Sequence, residues 1–133
     1  MIVLDTSALS RIFRRRVQIE TPQAIAFRDL VIRNQPIGLP GIVLQEVLSG
    51  VRSAAQSEVL RRNLAGLRLL LASAEDHRSA ADVFNLCQGK GISANSVDCL
   101  IAATALGLHA RLWTYDDDFD RIARVCALQI FQP

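Results

Sequence analysis

Residues 2–9 read IVLDTSAL: three apolar residues, an aspartate, and then the beginning of a helical pattern. We predict a short buried strand from Ile2 to Leu4 and a helix over residues 8–13. Asp5 lies between them and can cap the helix, which aspartate does well. It also stands at the carboxyl end of the first strand, where a parallel sheet presents its chemistry. The sequence leaves both interpretations of Asp5 open.

Outward from this segment, short apolar runs alternate with helical patterns. Thr21 and Pro22 predict a helix start, with threonine as the N-cap and proline at the first helical position. The alternation predicts an α/β fold, with a central, mainly parallel sheet covered by helices on both faces. The length of 133 residues favours a single domain over residues 1–133. Further strands are predicted at 37–39, 68–72, 111–114 and 128–131, and further helices at 21–33, 42–51, 53–67, 75–88, 95–108 and 119–124.

The composition excludes two broad classes of protein. Half of the residues are apolar and the net charge is +2, which excludes a disordered chain. The longest mostly apolar run, residues 99–108, is too short to cross a bilayer. The N-terminus has no basic segment of the kind that precedes a secretory signal, so we expect a cytoplasmic protein. Cys87, Cys99 and Cys126 contain no Cys-x-x-Cys pair and are expected to be free thiols, mostly buried.

The acidic residues are biased towards aspartate. Nine of the thirteen are aspartates, and four of these lie within residues 116–120. Consecutive aspartates at the end of a strand repel one another unless something positive is bound. Mg²⁺ and similar hard cations take carboxylate oxygens, and they can activate water and stabilise a displaced phosphate oxygen. We therefore predict that Asp5, Asp98 and Asp116 converge on a cation, although sequence spacing only permits this convergence.

Two further acids have ordinary structural interpretations. Glu46 lies in a helix between apolar residues, where a single glutamate is usually a surface charge. Asp98 can form an analogue of a capping box with Asn95. The helix that Asp98 opens is so apolar that we expect Asp98 at the edge of the core. Signals for other chemistry are missing: the sequence contains no phosphate-binding glycine loop, dinucleotide fingerprint, nucleophile elbow or zinc-ligand pattern.

Four segments in order resemble the motifs of the PIN-domain family. Residues 2–9 resemble the first motif and residues 45–50, QEVLSG, the second. Residues 97–105, VDCLIAATA, resemble the third, and residues 112–119, LWTYDDDF, the fourth. The resemblance covers nearly the whole chain and implies a three-layer α/β/α sandwich. The size of the chain makes it similar to the VapC-like toxins of bacterial toxin–antitoxin pairs.

The resemblance implies a Mg²⁺- or Mn²⁺-dependent endoribonuclease, in which water attacks an RNA phosphodiester and leaves a 5′-phosphate. By motif position, the implied catalytic residues are Asp5, Glu46, Asp98 and Asp116. The implied metal ligands are Asp5, Asp98, Asp116 and Asp118. Thr6 and Thr114 match hydroxyl positions that would orient the carboxylates. Because three aspartates are consecutive, a register with Asp117 in place of Asp116 or Asp118 stays open.

A basic cluster and one aromatic residue flank the predicted acidic pocket. The cluster can be a solvated helix end, since cations are favoured at a helix C-terminus. It can equally hold the phosphate backbone of RNA beside the pocket. Tyr115 can stack on a base or pack against the core. The residues of the cluster are Arg11, Arg14, Arg15 and Arg16.

The resemblance also implies partners for the chain. The region of the first helix and the helix around Glu46 would form a groove for a VapB-like antitoxin, with an antitoxin arginine entering the acidic pocket. A homodimer is compatible with the apolar surplus, and no membrane partner is expected. Two alternatives stay open: a housekeeping PIN nuclease of RNA processing, and a non-catalytic PIN-like module that binds RNA or protein.

Overall fold

The sheet of this protein is five-stranded and places the first strand at its centre. The structure, a computed structural model, describes residues 1–13 and 20–133. In these ranges the strand order is β3-β2-β1-β4-β5, and every pairing is parallel. The strands are β1 (Ile2–Leu4), β2 (Ile37–Pro40), β3 (Arg68–Leu70), β4 (Arg111–Trp113) and β5 (Gln129–Ile130).

Helices flank this sheet as the sandwich prediction requires. In the described ranges they are α1 (Thr6–Ile12), α2 (Pro22–Ile32), α3 (Gly41–Ser49), α4 (Ala54–Leu64), α5 (Ala74–Gly89), α6 (Ser96–Gly107) and α7 (Asp117–Ile122). Parallel strands need crossover connections, and the helices supply them. The predicted three-layer α/β/α sandwich with a parallel sheet is confirmed.

Side-chain caps set several helix starts. The Thr21 hydroxyl accepts a hydrogen bond from the amide of Ala24 at 3.1 Å, as predicted for the N-cap of α2. Asp5 caps α1, which therefore begins at Thr6 and not at residue 8. Asp116 caps α7, so this helix begins two residues earlier than predicted. In both cases an aspartate that follows a strand accepts a hydrogen bond from a backbone amide in the first turn of the next helix.

The core lies between the sheet and the helices, and it contains the apolar residues of β1, β4 and α6. Trp113 is fully buried and meets Phe131 edge to face, with 5.4 Å between ring centroids. Cys87 and Cys99 are buried, Cys126 is half-buried, and all three are free thiols as predicted. Within residues 1–13 and 20–133, no helix combines the length and apolarity that crossing a membrane requires.

The strand order creates a switch point beside β1. From β1 the chain moves outward through β2 and β3, whereas β4 returns to the other side of β1 and β5 follows it. Leu4 and Trp113 are register partners, so the carboxyl ends of β1 and β4 lie side by side. Ligands of open α/β sheets bind at such a point. The residues that follow these two strand ends, Asp5 and Thr114, stand there.

Candidate metal-dependent active site

Asp5 occupies the centre of the site and is almost fully buried, with 3% of its surface exposed. Its Oδ1 accepts hydrogen bonds from the amide of Ala8 and the hydroxyl of Ser7, both at 2.8 Å. Its Oδ2 accepts one from the Thr114 hydroxyl at 2.7 Å. A carboxylate has about four lone-pair sites, so these three donors leave room for about one further ligand. The cap interpretation of Asp5 therefore holds without excluding a metal-binding role.

Thr114 connects two of the predicted carboxylates. While its hydroxyl donates to Asp5, its Oγ1 accepts a hydrogen bond from the amide of Asp116 at 3.0 Å. Asp116 Oδ1 in turn accepts from the amide of Asp118 at 2.9 Å. A single short network thus fixes the end of β1, the end of β4 and the first turn of α7. This geometry agrees with the orienting role expected of Thr114.

Asp98 reaches the same site from the N-terminus of α6. Its amide donates to Asn95 Oδ1 at 2.8 Å, and the Asn95 side-chain amide donates to Asp98 Oδ2 at 2.7 Å. The pair is the expected analogue of a capping box, with the side-chain amide of Asn95 in place of its backbone amide. Asp98 is 9% exposed. Its position at the edge of the core is as predicted.

Glu46 comes from α3 and faces α1 across the cleft. The Thr6 hydroxyl donates to Glu46 Oε2 at 2.6 Å, although the two residues are far apart in sequence. Glu46 is exposed, as its surface interpretation requires. The contact with Thr6 nevertheless turns it towards the other acids. Thr6 therefore contacts a carboxylate of the cleft, and its orienting role stays a prediction.

Three of the predicted acids form a compact trio. Asp98, Asp116 and Asp118 each offer a carboxylate oxygen, and these oxygens lie within 4.8 Å of one another. Carboxylates so close together are the donor set that Mg²⁺ and Mn²⁺ prefer. Asp118 also forms an ion pair with Arg121, one turn further along α7. Asp117 lies outside the trio, so the geometry favours the register with Asp116 and Asp118.

The carboxylates of the site lie close enough together for their negative charges to be unfavourable. Burial, and secondly the carboxylates of Asp116 and Asp118, raise the pKa of Asp98 to about 6. Burial also raises the pKa of Asp5, against the hydrogen bonds from Ala8, Thr114 and Ser7 that lower it. Both shifts show that the folded chain resists full ionisation here. A bound cation would relieve that resistance.

Asp5, Glu46, Asp98 and Asp116 line one cleft with a volume of about 460 Å³. The structure thus brings together all four predicted catalytic acids, with Asp118 beside them. It also adds residues that sequence reasoning did not assign to the site. Ser7 donates to Asp5 and accepts from the amide of Tyr115 at 2.8 Å. Asn95 and Ser10 line the cleft as well. In the sequence, Ser7 is indicated by its position two residues after Asp5 in the first motif, and Asn95 by its pairing with Asp98.

Of the basic and aromatic residues that flank the acidic pocket, the structure describes Arg11 and Tyr115. The Arg11 guanidinium carbon lies 4.0 Å from the centre of the Tyr115 ring. Tyr115 also packs partly against the core. One face of the ring is therefore covered by Arg11, and stacking on an RNA base stays a prediction. Arg14, Arg15 and Arg16 lie outside the described residues.

Comparison with known proteins agrees with this geometry. The PIN domain family matches residues 2–125. A VapC ribonuclease of Mycobacterium bovis is 36% identical over 132 residues, which are 97% of this chain and 96% of that protein. Ribonuclease VapC11 of Mycobacterium tuberculosis is similar to the same extent. The chain belongs to the PIN domain family, and the resemblance to VapC proteins is confirmed.

Solved structures share this fold over nearly the whole chain. VapBC2 from Rickettsia felis, bound to a DNA fragment from its promoter, contains a chain with a TM-score of 0.79 and 22% identity. The match covers 98% of both chains. FitAcB from Neisseria gonorrhoeae gives a TM-score of 0.77 at 21% identity and covers 100% of this chain and 98% of that one. At these identities the likeness establishes the fold alone.

Proposed function

We propose that this chain is a metal-dependent endoribonuclease and acts as the toxin of a VapBC-type toxin–antitoxin pair. The observation that carries the proposal is the trio of Asp98, Asp116 and Asp118, joined by Asp5 and Glu46 in one cleft at the switch point of the sheet. The names of the VapC relatives supply the class of substrate, RNA. The presence of all four acids argues against a non-catalytic module.

The carboxylates fit a divalent cation of the Mg²⁺ or Mn²⁺ type, and such a cation would supply an activated water and charge stabilisation at the phosphate. Asp98, Asp116 and Asp118 would hold it, with the remaining lone pair of Asp5 as a further ligand. The chain's own residues perform the positioning. Thr114 orients Asp5, and the backbone from Thr114 to Asp118 holds the trio in register.

Glu46 has a separate role in this proposal. It lies in the cleft but outside the trio, and its Oε2 is fixed by Thr6. Its carboxylate is exposed to solvent and is placed to accept a hydrogen bond from the attacking water. Proton transfer by a positioned carboxylate contributes about 10² to 10⁴-fold to a rate. The products would be a 5′-phosphate and a 3′-hydroxyl.

The partners follow from the same assignment. A VapB-like antitoxin would occupy the groove formed by α1 and α3 and place an arginine in the acidic cleft, where the surplus negative charge favours a cation. RNA is the substrate, and the cytoplasm is where the enzyme would meet it. We further propose that residues 1–133 form one PIN domain and that two copies form a homodimer. This part of the proposal is tested by the molar mass of the purified protein in solution.

The central experiment is the substitution Asp98→Asn. We expect it to abolish Mn²⁺-dependent cleavage of single-stranded RNA, because it removes a charge from the trio and keeps the shape of the side chain. Asp82→Asn, on the exposed surface of α5, is the matched control and should cleave like the unsubstituted protein. Cleavage retained by a folded Asp98→Asn protein would reject the assignment. Expressing the chain without an antitoxin distinguishes a toxin from a housekeeping nuclease. A toxin should arrest the growth of the cells, and a housekeeping nuclease should not.

A further inference from the structure

A second pocket of about 360 Å³ lies next to the acidic cleft. Ser7 and Ser10 belong to the walls of both, so the two spaces adjoin along one side of α1. The other residues of the second pocket are Arg11, at the end of α1, and Thr21 and Gln23, at the start of α2. All five are polar. Among the described residues, its lining therefore includes no aromatic or aliphatic residue of the kind that forms the core of a protein interface.

The donors available in this pocket are few and can be identified. The Ser7 hydroxyl donates to Asp5, the Ser10 hydroxyl donates to the Thr6 carbonyl at 2.8 Å, and the Thr21 hydroxyl donates to the Arg11 carbonyl at 3.4 Å. Among the described residues of the pocket, the side-chain donors that stay free for a ligand are the Arg11 guanidinium and the Gln23 amide. Among the ion pairs of the described residues, none involves Arg11.

The cation at this pocket is held in position by an aromatic ring. The guanidinium of Arg11 lies 4.0 Å above the centre of Tyr115. The backbone of Tyr115 is itself tied to α1 through the hydrogen bond from its amide to Ser7. Stacking on a ring face fixes the plane of a guanidinium and leaves its N–H groups at the edge free to bind. A planar guanidinium with free edges matches the oxygens of a phosphate.

We infer that Arg11, supported by Tyr115 and assisted by Gln23, binds the phosphate of an RNA nucleotide adjacent to the scissile one. The inference rests on the proposed function, since it assumes that the scissile phosphate lies in the acidic cleft. That cleft repels every phosphate except the one neutralised by a metal. A bound strand must therefore place its next phosphate outside the cleft. The second pocket is the adjoining space, about 6 Å along α1 from Ser7 to Arg11.

The test measures binding without cleavage. The probe is a fluorescent single-stranded RNA of mixed sequence and about ten nucleotides, and every protein carries Asp98→Asn. Adding Arg11→Gln should weaken binding about tenfold at low salt, the loss of one charge-assisted contact. It should also reduce the slope of log affinity against log salt by about 0.7, because one phosphate contact on a single strand is lost. Arg11→Lys should keep the slope while binding less tightly, since it retains the charge without the planar fork.

Arg68→Gln is the matched control. Arg68 is exposed and begins β3, at the edge of the sheet opposite the cleft, so its loss should change neither affinity nor slope beyond the effect of net charge. Equal effects of Arg11→Gln and Arg68→Gln would overturn the inference. Unchanged RNA binding with weakened binding of the cognate antitoxin would overturn it too and assign the pocket to the protein partner. Absence of RNA binding in the Asp98→Asn parent, together with absence of cleavage by the unsubstituted protein, would instead reject the proposed function.

Discussion

Thr114 illustrates how one small side chain serves both fold and site. Its hydroxyl donates to the buried carboxylate of Asp5 and accepts from the amide of Asp116. The contact with Asp5 is not visible in the sequence, because the two residues are 109 positions apart. The position was assigned from the fourth motif. The structure supplies the physical reason for a hydroxyl there.

Replacing this hydroxyl tests its role directly. Thr114→Val keeps the side-chain shape but removes the shorter of the two hydrogen bonds to Asp5 Oδ2, leaving the one from Ser7 at 3.1 Å, and leaves the Asp116 amide without its acceptor. We expect a loss of about 1–3 kcal/mol in the free energy of unfolding, the usual effect of an unsatisfied buried polar group. We also expect weaker Mn²⁺ binding in calorimetry, because two carboxylates lose their fixed orientation.

The control for this substitution is Thr104→Val. Thr104 is also buried, and its hydroxyl donates to the carbonyl of Leu100 within α6, away from the carboxylates. That change should leave Mn²⁺ affinity unaltered. If Thr114→Val binds Mn²⁺ as tightly as the unsubstituted protein, the orienting role of Thr114 is wrong.

At the scale of the element, residues at the N-termini of three helices supply side chains of the acidic cleft. The N-caps of α1, α6 and α7 are Asp5, Asn95 and Asp116, and all three line the acidic cleft. The sequence predicted every strand and helix of the described residues, since periodicity and capping residues mark them well. Their boundaries shifted by one or two residues where a carboxylate capped a helix. The sequence cannot show whether an aspartate caps a helix or faces a ligand. In the structure Asp5 and Asp98 both take part in helix caps and both line the acidic cleft.

Asn95 has two functions that a substitution can test: it caps α6, and its side chain holds the Asp98 carboxylate. Asn95→Ala removes the N-cap of α6 and the side-chain donor to Asp98. We expect a loss of about 1 kcal/mol in the free energy of unfolding, typical of a lost N-cap. We expect reduced RNA cleavage as well, because the Asp98 carboxylate is no longer held.

Ser73→Ala is the comparison for this prediction. Ser73 caps α5 in a complete capping box with Asp76 and does not line the acidic cleft. It should cost a similar amount of stability and leave cleavage unchanged. Equal cleavage by the two variants would show that Asn95 acts on the helix alone.

At the scale of the whole molecule, the fold concentrates negative charge at one point although the net charge is +2. Burial and neighbouring acids raise the pKa of Asp98 from 3.8 to about 6, and burial raises that of Asp5. The metal-free folded chain therefore keeps protons that the unfolded chain has released. The contribution of Asp98 to stability then falls as the pH rises through the window from 3.8 to about 6, and Asp5 adds a fall in the same direction.

Urea unfolding in the presence of a chelator tests this sign. The midpoint for the unsubstituted protein should decrease across that window, whereas Asp98→Asn should show a shallower decrease, since only the contribution of Asp5 persists. At neutral pH the variant should be the more stable of the two, because it lacks the buried charge. An identical pH dependence for both proteins would contradict the charge accumulation at Asp98.

The sequence by itself determined the elements and the class of fold, and it predicted the acids that the structure places in one cleft. Strand and helix periodicity are local properties, and four motifs in order are enough to indicate the family. The tertiary structure alone decided which atoms meet. It brought Thr6 to Glu46 and Thr114 to Asp5. It also placed Asp116 and Asp118 beside Asp98, whereas Asp117 lies outside this trio. It also set Arg11 over Tyr115. These contacts join residues that are distant in the chain, and they exist because parallel strands place their carboxyl ends at one edge of the sheet.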